Sequence, residues 1–338
     1  MSYLNDDYTI KSDFWFDQDN ALDYIRTRIS HVRPEMVDSL INFIERGYLV
    51  IPRSLSTDLI ESFLGDIEFL WSCNSFPCVI SQLGGERTIF KNITDVHRSP
   101  GYRLVDIHGY MESARQIVHN KIVYDYLEVL LETKVVGFQS LFFEWGSQQG
   151  LHRDPMFVRT LPPSALIASW TALEDIHSDS GPLVYIPRSH RFPYYEFVKG
   201  DTIMNKGDPN IANKRIEFSN HYKELMKEQG LFEESFTAKK GDTFIWHGSL
   251  LHGGAKQENF SLTRNSIVCH YCPVSVMRSV SNSIIYKESD KEIKVKQSTN
   301  NICSRNETLF FNAPIKKDSL SQILSNSKST SILYNKSA

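Results

Sequence analysis

The chain has 338 residues, enough for one large domain or two ordinary ones, and its 41% hydrophobic and 23% charged content is that of a soluble globular protein. A formal net charge of −3 argues against a dedicated nucleic-acid binder, and no apolar run approaches the roughly 18 residues of a membrane span. The opening "MSYLNDDYTIKSD" lacks the basic-then-apolar pattern of a signal peptide, and the five cysteines are few and odd in number, so a cytoplasmic, reducing setting is expected.

Helical periodicity dominates the first third. "NALDYIRTRI" and "PEMVDSLINFIERG" carry apolar residues at helical spacing, the second opening near Pro34 and stopping at Gly47. "YLVIP" (48–52) reads as a short buried strand. "SLSTDLIESFLGDIEFLW" follows as a helix capped by Ser56 or Thr57, and "NKIVYDYLEVLLETK" (120–134) as another amphipathic helix. From Val135 the texture changes to short β-rich runs: "VVGFQSLFFEWG", "SALIASWTALED", "PLVYIP", "DTFIWHGS" and "NSIVCHYCP". Without long intervening helices these predict an antiparallel barrel or jelly roll rather than a parallel sheet. The polar, partly helical stretch 196–238 reads as an insertion over one mouth of that barrel.

Residues 276–338 differ again. They hold 13 Ser, and 10 Lys/Arg against 5 Asp/Glu give +5, leaving −8 for the rest of the chain. This tail is expected to be partly disordered, with "IIY", "TLFFNAPI" and "SQILSN" as segments able to dock on the body. The glycosylation pattern at Asn306 is discounted without a secretion signal. The expected division is an N-terminal extension (1–33), a main domain of helical layer plus jelly roll (34–275) and the tail (276–338).

Chemistry concentrates at "GLHRDP", where His152 stands two residues before Asp154. Chance alone supplies roughly 0.65 His-x-Asp pairs in a chain of this composition. Two occur, so the surroundings must decide. Alternate residues of a strand share one face, which lets His152 and Asp154 reach one ion, whereas His177 and Asp179 lie in the turn-rich "HSDSG". Two imidazoles and a carboxylate on one face of Fe(II) leave the opposite face open. The candidates for a second histidine are His247, His252 and His270. His252 lies between "LL" and "GG", where small residues permit close approach. Arg264 opens the next strand, and its fork suits the far carboxylate of a bidentate oxo-acid. His247 reads as a hydrogen-bonding or core residue sooner than a ligand, and His270 as structural. Cys269 and Cys272, a lone C-x-x-C, read as small residues of a half-buried strand.

"QSLFFEWGSQQGLHRD", "ASWTALEDIHSDSGPLVYIPRSH", "WHGSLLHGG" and "TRNSIVCHY" together resemble the phytanoyl-CoA dioxygenase family of Fe(II)/2-oxoglutarate oxygenases. "GYLVIPRSLSTDLIESF" and "RLVDIHGYMESARQIVHNKIV" extend the likeness, which runs from about Met36 to Pro273. The resemblance implies an α+β fold, with a double-stranded β-helix of the jelly-roll or cupin-like kind flanked by N-terminal helices. It implies His152, Asp154 and His252 as iron ligands and Arg264 as the 2-oxoglutarate clamp, with Ser266 as an accompanying hydroxyl donor. Trp170 matches a position beside the co-substrate, and Lys91 and Leu141 match further pocket positions. A barrel-core role for Trp170, an exposed Lys91 and a core Leu141 stand as alternatives. The family usually has glycine where Arg188 stands in "IPRSHR".

The resemblance further implies the cofactors Fe(II), 2-oxoglutarate and O2, with ascorbate as an accessory. The reaction is decarboxylation of 2-oxoglutarate to succinate and CO2, coupled to hydroxylation of an unactivated C–H in a small metabolite. Halogenation is disfavoured, because Asp154 fills the position a halide would need. The aromatics and Arg159, Arg188 and Arg191 of "PMFVRTLPPS" and "PRSHRFPYYEF" suit a small anionic or polar substrate, with exposed arginines as the alternative. The rival readings are a catalytically inactive jelly-roll metabolite-binding protein and a zinc hydrolase. The first has no need of Arg264, and the second lacks a recognisable general base.

Overall fold

Local signals place the first elements. After α1 (Ala21–Thr27), α2 (Pro34–Arg46) begins on a proline suited to the first turn and ends at Gly47, whose φ of 85° is a left-handed conformation natural to glycine. Its face of Met36, Leu40, Phe43 and Ile44 is buried. β1 (Tyr48–Ile51) follows, then α3 (Thr57–Ser72), whose cap is Ser56: its Oγ accepts a hydrogen bond from the Leu59 N–H at 3.3 Å. β2 (Pro77–Gln82), β3 (Ile89–Asn92), β4 (Tyr102–Val105) and α4 (Glu112–Val118) were not marked by hydrophobic periodicity. α5 (Lys121–Leu131) is capped by Asn120, whose side chain accepts from the Ile122 N–H at 2.8 Å.

The expected strands then appear as β5 (Val135–Phe143), β6 (Ile167–Ala172) and β7 (Leu183–Tyr185). α6 (Ile211–Gln229) and β8 (Glu234–Phe236) follow, then β9 (Thr243–His247), β10 (His252–Gly254) and β11 (Ser266–Pro273). In the tail stand β12 (Ile284–Glu288), β13 (Lys291–Val295), β14 (Ile302–Arg305) and β15 (Thr308–Phe311). The computed structural model describes residues 14–27, 32–72, 77–82, 89–92, 97–109, 111–158, 160, 162–205, 207–276, 284–288, 291–295, 302–305 and 308–311. Asn306 and "SQILSN" lie outside them.

The larger sheet runs in the order β1-β9-β6-β11-β5-β4-β2-β3, and a smaller one in the order β10-β7-β8. Among the described residues every strand pair is antiparallel except β15 with β5, where Leu309 faces Val136. The two sheets meet through the rings of Tyr48, Tyr185 and Phe244, with centroids 4.7–4.8 Å apart. The molecule is thus α+β, a jelly roll with helices laid on the larger sheet. Phe63 of α3 meets Phe142 of β5, and Tyr124 of α5 meets Tyr271 of β11.

Strand alternation sends the other face inward. Leu141 and Phe143 on β5, and Val268 and His270 on β11, line a cavity of about 450 Å³. A bulge between His270 and Tyr271 shifts the β5–β11 register there. The expectation of a half-buried strand around Cys269 and Cys272 needs correction: all eight residues of β11 are buried, because helices cover one face and the cavity wall forms the other.

Candidate metal centre

His152 and His252 are held opposite each other by their backbones. The His152 N–H donates to the His252 carbonyl at 2.9 Å, and the His252 N–H to the His152 carbonyl at 3.0 Å. Asp154 does not continue a strand as expected. It opens a single turn, Asp154–Met156, while its own N–H donates to the Gly248 carbonyl at 3.1 Å. Strand alternation therefore explains only half of the motif, and the turn returns the carboxylate toward the imidazoles. His152 Nε2 lies 3.8 Å and His252 Nε2 3.5 Å from Asp154 Oδ1, and one ligand atom from each residue falls within 4.8 Å of the others. Gly253 serves close approach, but of backbone: a Cβ there would stand 2.6 Å from the Gln149 carbonyl oxygen, in the segment leading to His152.

The ring orientations are determined. His152 Nδ1 lies 2.9 Å from the Gly150 carbonyl and His252 Nδ1 2.9 Å from the Leu250 carbonyl. A carbonyl only accepts, so each Nδ1 carries the proton and each Nε2 presents a lone pair to the centre. The Trp246 indole N–H donates to Asp154 Oδ2 at 2.9 Å, leaving Oδ1 for the centre. Burial, with His252 adding to it, pushes His152 down to about 3. Burial also pushes the Asp154 carboxyl up, yet His252 and His270 hold it well below the usual carboxylate range. For His252 burial works downward, and Asp154 outweighs it. The set is two neutral-capable imidazoles around a carboxylate, which is the donor chemistry of a divalent transition metal.

Arg264 reaches the same cavity. Its NH1 group donates to the Gly181 carbonyl at 3.1 Å, whereas its buried Nε has no partner among the described residues. Trp170 lines the cavity too, 5.7 Å from the Arg264 guanidinium, and its buried indole N–H likewise has no partner among the described residues. Leu141 is part of the wall. Ser266 is buried outside it, because its hydroxyl donates to the Arg264 carbonyl at 3.2 Å on its own strand. Lys91 pairs with Cys78 between β3 and β2, and its side chain lies outside the described residues.

His270 has a place the sequence reading did not assign. Its Nδ1 lies 2.8 Å from Gln139 Oε1 across the strands, and its Nε2 lies 3.5 Å from Asp154 Oδ1. The available signal was parity, since His270 stands six residues after Arg264 and so on the same face. Arg103 of β4 and Arg215 of α6 also line the cavity. No strand had been read at Arg103, so no parity rule was available. Of the arginines read either as suiting an anionic substrate or as simply exposed, the two described follow the second reading. Arg188 sits at φ 71° on a turn outside the lining, Arg191 donates to the Ile44 carbonyl at 3.0 Å, and Arg159 lies outside the described residues.

His247 binds the N-terminal segment instead of the centre, its Nε2 3.3 Å from Asp17 and its ring packed on Phe16. His177 is exposed and accepts from the Asp179 N–H at 3.1 Å, a turn as expected.

Comparisons with known proteins agree with this geometry. The rat (Rattus norvegicus) peroxisomal phytanoyl-CoA dioxygenase is 24% identical over 242 residues, covering 67% of this chain and 65% of that protein. The human (Homo sapiens) protein is 27% identical over 148 residues, covering 42% of this chain and 40% of that one. The match thus spans just under two thirds of the rat relative. In fold, the chain resembles the non-heme alpha ketoglutarate dependent carbocyclase SnoK from nogalamycin biosynthesis, with TM-score 0.51, 16% identity, and 72% and 85% of the two chains covered. It also resembles the non-heme alpha ketoglutarate dependent epimerase SnoN, with TM-score 0.51, 14% identity, and 83% and 99% covered. Residues 43–261, well over half of the sequence, match the family described as Phytanoyl-CoA dioxygenase (PhyH), and the chain belongs to that family.

Proposed function

We propose that the protein is an Fe(II)- and 2-oxoglutarate-dependent dioxygenase that hydroxylates an unactivated C–H of a small metabolite. The observation that carries this reading is the convergence of His152, Asp154 and His252 in the cavity that also receives Arg264. The donor set fits Fe(II), with each imidazole's Nδ1 tied to a carbonyl and one Asp154 oxygen tied to Trp246. The cavity also fits an oxo-acid: Arg264 Nε and Trp170 Nε1 are buried donors without acceptors among the described residues, which a carboxylate would supply. When bound, iron would supply the chemistry that couples reduction of O2, the oxidant, to oxidative decarboxylation of 2-oxoglutarate, giving succinate and CO2, and to oxidation of the substrate C–H.

The protein's own residues do the rest. His152, Asp154 and His252 would hold the metal, and Arg264 and Trp170 the distal carboxylate. Leu141, Phe143 and Val268 form an apolar wall that keeps bulk water from the reacting carbon. Gln139 orients His270 beside Asp154. Ascorbate would act as an accessory reductant. A cytoplasmic setting accords with the buried free thiols of Cys269 and Cys272.

A binding protein without turnover is the rival, and one assay separates the two. Purified protein given Fe(II), O2 and 2-oxoglutarate is expected to release succinate slowly even without its substrate. Absence of succinate from a folded, iron-loaded preparation, with 2-oxoglutarate bound, would favour the binding protein.

A further inference from the structure

Arg153 stands between His152 and Asp154 in the chain, yet it is not part of the cavity wall that its two neighbours line. Its side chain is buried, and among the described residues it has no carboxylate partner. The rings of Tyr194 and Tyr222 lie 5.2 and 4.8 Å from its guanidinium. Burying a cation without an anion is costly, and an apolar side chain would cost less there. The guanidinium therefore answers some other demand.

Its hydrogen bonds show what that demand is. All of them go to the loop that follows β7: NH2 donates to the Ser189 carbonyl at 2.6 Å and the Phe192 carbonyl at 3.0 Å, and NH1 to the Pro193 carbonyl at 3.2 Å. The same loop holds the segment of the second histidine. Ser189 Oγ accepts from the Leu251 N–H at 2.8 Å, and the Ile186 N–H donates to the Leu251 carbonyl at 2.9 Å. The Tyr194 hydroxyl lies 2.5 Å from Ser249 Oγ. Leu251 directly precedes His252, so one loop carries both halves of the metal centre. α6 meets this loop from outside. The Tyr222 ring lies on the Arg153 guanidinium, and its hydroxyl donates to the Pro193 carbonyl at 2.9 Å. Arg215, Phe218, Ser219 and Tyr222 recur at spacings of three and four and share one helix face. The first three of them line the cavity.

We propose that Arg153 is a positioning residue: it ties the segment of His152 and Asp154 to the loop that holds His252, and Tyr222 makes that tie depend on α6. This rests on the reading of His152, Asp154 and His252 as a metal set. A planar fork suits the task, since it meets three carbonyls of one loop while its face stays available to a ring. The helix face that lines the cavity is thereby joined to the metal ligands through two side chains, Tyr222 and Arg153.

The test uses Co(II) alone, whose titration gives an affinity and whose visible absorption bands report the geometry of its ligands. Arg153→Met keeps much of the side chain's length and removes its donors. It is expected to weaken Co(II) binding about tenfold and to shift the bands. Arg153→Lys should recover part of the affinity, because an ammonium keeps the charge beside the rings but reaches fewer carbonyls. Tyr222 lies outside the cavity lining. Tyr222→Leu should nonetheless weaken Co(II) about threefold in the wild type, and not at all in the Arg153→Met background. Wild-type affinity and bands in folded Arg153→Met, with only a lower melting temperature, would overturn the proposal by leaving the residue a structural role. Additive effects in the double variant would overturn the part assigned to α6. Should Arg153→Met fail to fold, Arg153→Lys and Tyr222→Leu decide: weakened binding in both supports the proposal, and wild-type affinity and bands in either overturn it. If the wild-type protein took up no Co(II), the metal-centre reading would fall and this inference with it. With uptake intact, only the inference is at stake.

Discussion

Asp154 turns one carboxylate oxygen to the candidate metal centre and the other to the fold. Its Oδ1 faces the imidazoles and its Oδ2 accepts the Trp246 indole N–H. Asp154→Ala should abolish metal binding and succinate release. It should also cost about 1–3 kcal/mol, because the buried indole N–H loses its acceptor. Calorimetric metal titration and denaturant unfolding of the variant check both. At Arg264 the geometry of the donor matters more than its charge. Arg264→Lys is expected to raise the 2-oxoglutarate requirement by about tenfold or more, since an ammonium cannot both reach the Gly181 carbonyl and grip a carboxylate with two prongs. An unchanged apparent affinity would remove Arg264 from the co-substrate site. Arg188 is a different case. It occupies φ 71°, a left-handed conformation, where the family resemblance leads one to expect glycine. Arg188→Gly should therefore stabilise the fold by about 0.5–1 kcal/mol in chemical denaturation, with cavity binding unchanged.

Among the elements, the short β10 joins the two halves of the centre. His252 pairs with His152 across it, and Gly253 lies against Gln149 and Gly150. A Cβ at Gly253 would come within 2.6 Å of backbone that cannot retreat without moving Gly150, whose carbonyl orients His152. Gly253→Ala should therefore weaken metal affinity about tenfold or more while leaving the remainder of the jelly roll formed. Metal affinity equal to wild type would show that the 147–150 segment can shift freely. α6 acts on the other side of the cavity. It lies in the stretch expected to cover the barrel mouth, and it contributes Arg215, Phe218 and Ser219 to the lining.

At the scale of the whole molecule, acid sensitivity and the tail are the testable features. Burial holds both His119 and His190 down to about 3, from an ordinary value of 6.5. The folded protein therefore binds fewer protons than the unfolded chain between those values. Stability present above pH 6.5 should fall as pH drops toward 3, by at most about 1.4 kcal/mol per pH unit for each histidine. Thermal unfolding across that range should show the decline, and His190→Asn should make it shallower. The tail returns to the body through β15, which pairs with β5 at Val136 and Gly137, while the cavity wall on β5 begins at Gln139. Truncation after Asn282 should therefore lower the melting temperature but preserve metal and 2-oxoglutarate binding. Loss of both in a folded truncation would show that the tail completes the site.

The sequence by itself determined the elements whose signals are local. Pro34 and Gly47 bound α2, Ser56 caps α3, and the β-rich runs after Val135 became the barrel strands. It also supplied the candidate metal residues, because His152 and Asp154 are near neighbours and their pattern recurs in a family. Where information was non-local, the reading stopped. Arg103 lies on a strand too short and too mixed in polarity to show a period, and it enters the cavity only because β4 pairs with β5. Ser266 has the right parity but spends its hydroxyl on the Arg264 carbonyl, a choice made by local hydrogen-bond geometry. His270 shares a face with Arg264, yet only the folding of residues 152–154 back against β11 brings it to Asp154. Residue type and spacing thus specified which groups can do the chemistry. Tertiary structure decided which of them meet, because a cavity is assembled by strand pairing between segments far apart in the chain.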